Sequence, residues 1–173
     1  MKNIMLFNFT ILFISLFYSC AEESKYAIDT TEVSPWCIIG FDSLKRTPEQ
    51  RIELLKELGI SKYGYNRGNG DITTMLEEFE LAKENNIEIN SILLWLNADR
   101  DSIGELSPSN QELLSKLKEI ENKPTIWLSF SDNFFKEINQ EQSLIFSTEM
   151  VRYILKLSKE LDCKLALYNH NGW

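Results

Sequence analysis

From Trp36 onward, short apolar runs alternate with segments of helical period, and nothing else in the sequence restricts the fold as strongly. WCIIGFD, residues 36–42, reads as a first strand. TPEQRIELLKELG, residues 47–59, reads as a helix with Thr47 at the N-cap, Pro48 at the first helical position and Gln50 three residues after the cap. Gly59 closes it, and Ile52, Leu55 and Leu58 form its apolar stripe. SKYGYN, residues 61–66, is the second strand, followed by the turn RGNGD and a helix from Ile72 to Asn85 with Met75, Phe79 and Ala82 on one face. IEINSILLWLN, residues 87–97, is the third strand, and Ser107 and Pro108 open a helix carrying Leu113, Leu117 and Ile120. TIWLSF, residues 125–130, is the fourth strand. The helix from Ser143 to Leu161 has the clearest period, Phe146, Met150, Ile154, Leu157 and Leu161, and leads into a fifth strand, CKLALYN.

Five near-continuous apolar strands separated by four amphipathic helices predict an α/β fold with a parallel sheet covered by helices. Two architectures satisfy the alternation: part of an eight-stranded (β/α)8 TIM barrel, or a doubly wound open parallel sheet. The loops favour the barrel. No Gly-x-Gly-x-x-Gly follows the first strand, and RGNGD has neither the lysine nor the spacing of a phosphate loop. Each strand instead ends in polar or aromatic groups: Asp42; Tyr65 and Asn66; Trp95 and Asn97; Ser129, Ser131 and Asp132; Asn169, His170, Asn171 and Trp173. Chemistry gathered at the C-terminal ends of many strands is the barrel pattern.

The first twenty residues stand outside this alternation. Lys2 precedes an apolar stretch, Ile4 to Tyr18, too short for a spanning helix, so residues 1–20 read as a secretory signal. Ser19 and Cys20 in SLFYSC resemble the lipobox of bacterial lipoproteins, which would leave Cys20 as a lipidated N-terminus; an ordinary signal peptide cleaved nearby is the alternative. The protein is then expected to be a membrane-anchored lipoprotein, periplasmic or facing outward from the cell surface, held by acyl chains. Residues 21–34 carry no apolar period and read as a tether to the domain at 35–173.

Without residues 1–20 the chain keeps all 26 acidic groups and 17 of 18 basic ones, a net charge of about −9. Such a surface repels phosphate backbones and anionic headgroups, so no nucleic-acid partner is expected. Cys37 and Cys163 each lie in an apolar run and are expected to be buried free thiols; neither has a partner at metal-ligand spacing.

GFDSLKRTPEQRIELLKELGISKYGYN, INSILLWLN and above all LALYNHNGW resemble the sugar phosphate isomerase/epimerase family, proteins with a xylose isomerase-like TIM barrel that include secreted bacterial members. The resemblance runs from Trp36 to Trp173. It implies a small-molecule sugar or sugar derivative as partner, a divalent metal at the barrel mouth, and proton transfer next to a sugar carbonyl. Such a proton is removed only when a Lewis acid takes up charge on the oxygen and a base is in position. The family's metal ligands lie mostly on the fifth and later strands, so the ligands expected here are unknown and mostly beyond Trp173. Only the Asn169-His170 pair matches that equipment. His170 is the expected catalytic residue, with Asn169, Trp95, Asn97, Tyr65 and Trp173 as substrate contacts. Trp95 and Trp173 suit either stacking on a sugar ring or rim packing. Tyr63 and Tyr65 share one strand face and are expected in the barrel interior, Glu77, Glu78 and Glu80 on a wet helix face, and Asp99, Arg100 and Asp101 in a solvated loop. A closed barrel needs eight strands and about 250 residues, so the chain is expected to be one part of a larger fold, with a non-catalytic carbohydrate-binding lipoprotein or an inactive fragment as alternatives.

Overall fold

The computed structural model describes residues 28–66, 72–136 and 138–168. It contains four parallel strands: β1 Lys62–Tyr65, β2 Glu88–Leu96, β3 Thr125–Phe130 and β4 Leu165–Leu167. Four helices alternate with them: α1 Pro48–Glu57, α2 Met75–Glu84, α3 Pro108–Leu117 and α4 Gln140–Glu160. The strand order is β1-β2-β3-β4, with no reversal. Right-handed crossovers repeated in one direction place all helices on one side of a sheet, as in a barrel segment, whereas a doubly wound sheet reverses its order at a switch point.

Local chemistry sets the helix starts. At α1 Thr47 and Gln50 exchange side-chain and backbone bonds in a full capping box, with Pro48 following the cap. At α4 the same reciprocal pair is Asn139 and Gln142, so the helix opens three residues earlier than Ser143, the expected start. Ser143 lies inside the first turn and donates its hydroxyl to Asn139 O at 3.0 Å.

The expected first strand is not a strand. Ser34 and Pro35 run beside β1, with Gly64 N donating to Pro35 O at 2.7 Å and Ser34 Oγ to Asn90 Oδ1 at 3.1 Å. Ile38–Phe41 then closes into a one-turn helix. An edge segment with a ladder partner on one side only has few sheet bonds to hold it extended, and Ile38 and Ile39 reach the core from the helical turn equally well. The described sheet therefore has four strands and a lead-in, not five strands.

Alternation along β2 and β3 separates two faces. Ile92, Leu94 and Leu96 of β2 and Ile126, Leu128 and Phe130 of β3 are buried under the helices, at 0–1% exposure. Met75, Leu113, Leu117, Met150 and Ile154 close over them. Each such side chain stabilises the fold by about 1.5–3 kcal/mol. The opposite face carries Ser91, Leu93, Trp95, Trp127, Ser129, Ala166 and Tyr168.

Candidate functional site

The helix-free face is built around aromatic rings. Trp127 and Tyr168 stack with ring centroids 5.8 Å apart and planes 6° apart, and Trp36 packs on both at 6.4 and 5.1 Å. Trp36 comes from the lead-in and lies against Gly64 of β1. A Cβ on Gly64 would stand 2.9 Å from Trp36 Cβ and 2.6 Å from Ser91 Oγ, so only glycine lets the lead-in cross the strand here. The β1–β2 register also shifts between Tyr63 and Gly64.

On the same face stands Ser129, fully buried, whose Oγ has no hydrogen-bond partner among the described residues. It stands opposite Trp95 in the β2–β3 register. A buried hydroxyl without a partner carries a desolvation cost of about 1–3 kcal/mol, and such groups collect where a ligand or a water completes them.

The strand ends hold a polar network. Asn97, directly after β2, accepts at Oδ1 from Asp99 N and from Asn133 Nδ2, both at 3.0 Å. Its own Nδ2 makes no hydrogen bond among the described residues, leaving its two N–H groups open at this end of the face. Asn133 Oδ1 in turn accepts from Ala98 N at 3.1 Å and from Ser131 Oγ. The loop after β2 hangs on Asp101, which accepts from Asn97 N at 2.9 Å, Ser107 N at 2.8 Å and Asn110 Nδ2 at 3.0 Å. Asp101 is 3% exposed, which corrects the expectation of a solvated Asp-Arg-Asp loop. Its two neighbours do remain exposed. Three backbone and amide donors repay the desolvation of a short carboxylate that the local pattern alone would leave in water.

Two further placements differ from expectation. Tyr63 and Tyr65 face the helices, not the inner side of the sheet: Tyr63 Oη donates to Glu78 Oε1 at 2.7 Å, and the Tyr65 ring packs 5.8 Å from that of Phe79. Tyr65, expected as a substrate contact, is 2% exposed on the face opposite Trp95. Glu78, expected on a wet face, is fully buried and ion-paired with Arg51 of α1 through Nε at 3.0 Å and Nη2. Burial draws the Arg51 guanidinium downward, but the bond and charge of Glu78 outweigh it and hold the group above its ordinary value. Burial likewise pushes the Tyr63 hydroxyl well above its usual range.

Among the expected site residues, Trp95 and Asn97 share one strand end and are half-buried. His170, Asn169, Trp173 and Cys20 lie outside the described residues. Asp42 accepts from Arg46 N at 2.8 Å and Leu44 N at 3.0 Å, and its carboxyl is held below the usual carboxylate range chiefly by the Arg46 backbone bond. Cys37 and Cys163 are free thiols; Cys163 is buried, while Cys37 is half-exposed rather than buried.

The metal ligands expected from the resemblance lie mostly beyond Trp173, and among the described residues no group of three or more His, Cys, Asp and Glu side chains is placed to hold an ion. After β2, Asp101 is committed to its three donors while Asp99 is exposed; after β3, Asp132 is exposed with Lys136 at 3.9 Å. No described helix is long and apolar enough to cross a membrane. A cavity of about 380 Å³ lined by Phe79, Lys83, Ile87, Ile89 and Glu121 lies at the start of β2, the end of the strand away from Asn97.

Compared with known proteins, the chain matches no family model, no curated protein and no solved structure.

Proposed function

We propose that this chain is the sugar-binding part of a sugar isomerase/epimerase-like (β/α) barrel, carried on the cell envelope by a lipid on Cys20. The observation that carries this reading is the composition of the helix-free face. Half-buried tryptophan and tyrosine rings, the unpartnered Ser129 hydroxyl and the spare Nδ2 of Asn97 stand on one side of a singly wound parallel sheet. Flat rings suit the C–H face of a sugar, and isolated donors and hydroxyls suit its edge. The resemblance of LALYNHNGW to that family points the same way. Proton transfer would fall to His170, so the described side chains account for recognition and not for the chemistry.

The test is titration of the folded chain with D-xylose, D-glucose and D-fructose, followed by tryptophan fluorescence and calorimetry. At least one is expected to bind, and Trp95→Ala and Asn97→Ala each to weaken it roughly tenfold, equivalent to about 1.4 kcal/mol. Absence of binding by all three to a protein folded by circular dichroism overturns the sugar reading. Detergent partitioning that is unchanged by Cys20→Ala overturns the anchor.

A further inference from the structure

The chain enters the fold at one defined end. Thr30 lies against the turn between α1 and β1, where a Cβ on Gly59 would stand 3.2 Å from Thr30 Oγ1. Glu32 then pairs with Lys62 at 3.4 Å, Pro35 O accepts from Gly64 N at 2.7 Å, and Cys37 meets the side chain of Asn66. Residues 30–37 thus keep pace with β1 in the same direction, starting where the strands start. The mouth with Trp95 and Asn97 stands at the other end of the sheet, and the nine residues of β2 separate the two ends by roughly 30 Å.

Charge divides along the same axis. Each helix runs back to the start of the next strand, so helix N-termini stand at the mouth end and C-termini at the entry end. Glu49, Glu77 and Glu141 lie exposed in the first turns of α1, α2 and α4, and Asp99, Glu105 and Asp132 are exposed in the loops after β2 and β3. The exposed cations among them are fewer, Lys45, Arg100 and Lys136. The last turns of the four helices carry Lys56, Lys83, Lys116 and Lys159, offset by Glu57, Glu84 and Glu160. The mouth end is therefore acidic and the entry end close to neutral.

We infer that the anchored protein stands on its bilayer with the entry end toward the lipid and the mouth of the helix-free face pointing away from it. Ten residues separate Cys20 from Thr30, a reach of at most about 35 Å. Holding the entry end near the bilayer leaves that tether its freedom. Turning the mouth to the bilayer would draw the tether back past the full height of the sheet, nearly its whole length, and cost most of its conformational entropy. It would also press the acidic end against anionic headgroups, whose field repels it. Any ligand of the face then arrives from the aqueous side. The inference rests on the Cys20 anchor proposed above and not on the sugar reading.

Energy transfer to the membrane tests it on the full lipidated chain, in vesicles of phosphatidylethanolamine and phosphatidylglycerol that carry an acceptor dye on a headgroup. Arg100, in the loop after β2, and Asn122, just before β3, are both exposed. Each is replaced in turn by azidophenylalanine, which takes a donor dye and leaves every cysteine in place. Transfer from the Asn122 position should be at least about twofold that from the Arg100 position, given the roughly 30 Å between the two ends. Circular dichroism checks each fold, and Asp132 and Glu119, exposed at the same two ends, serve where the first pair fails to fold. Vesicles that float without the protein overturn the anchor reading and the inference with it. Protein that floats with near-equal transfer from both positions, or with stronger transfer from the Arg100 position, overturns the inference alone.

Discussion

The two faces of the sheet obey different rules. Under the helices the side chains are mostly aliphatic and closely packed, and Arg51, Glu78 and Tyr63 satisfy one another across α1, α2 and β1. On the other face most side chains are aromatic or hydroxylic, several stay half-exposed, and Ser129 is left unpartnered among the described residues. A face selected for stability alone would not keep a buried hydroxyl without a bond or a lead-in pressed against a glycine. The difference separates scaffold from candidate site.

The comparison can be broken most forcefully at the buried ion pair. Glu78→Ala leaves the Arg51 charge buried and unpaired and should destabilise the fold by about 3–5 kcal/mol in urea unfolding. A loss below about 1 kcal/mol would show that water reaches the pair. Leu94→Ala, in the aliphatic layer, should cost about 2–5 kcal/mol. Gly64→Ala forces a methyl group against Trp36 and Ser91 and should cost about 1–3 kcal/mol, with a shift in tryptophan emission because Trp36 must move. Ser129→Ala has the opposite sign. Removing an unpartnered hydroxyl should raise stability by about 1 kcal/mol while weakening any sugar that binds there. The smallest effect concerns acid. Asp42 has a depressed folded-state pKa, so its contribution is present above the unfolded value and is lost as pH falls through the folded one. Asp42→Asn should therefore flatten the stability profile slightly below the ordinary carboxylate range and leave it unchanged near neutrality.

How much was legible varies with the range of the interaction. The α1 boundary follows from Thr47, Pro48 and Gln50, all within one turn, and the helix stripes follow from a period written into consecutive residues. The α4 start was misplaced because two capping signals overlap, and the reciprocal Asn139–Gln142 bonds prevail over Ser143. The polar hubs escaped the sequence for a different reason. Glu78 sits among three other acidic residues between Glu77 and Glu84, where local pattern says solvent, and only the arrival of Arg51 from 27 residues away makes its burial favourable. Asp101 likewise depends on Asn110 and on the return of the chain at Ser107.

Trp95 and Asn97 were legible as candidate contacts because they end a strand that the apolar run identifies, and strand alternation fixes which face Trp95 joins. Ser129 was legible only as part of a strand end. Its lack of a partner depends on what every neighbouring strand brings beside it.

Sequence by itself determined that this chain alternates strand and helix, that the strands run parallel with polar groups at their C-terminal ends, and where most helices begin, since each depends on residues a few positions apart. Tertiary structure alone decided that residues 36–42 do not extend the ladder, which face the tyrosines join, and which charges are buried. Each of those outcomes turns on a competition between local bonds and a partner far along the chain, and the free energy of that partner exists only once the fold has brought it there.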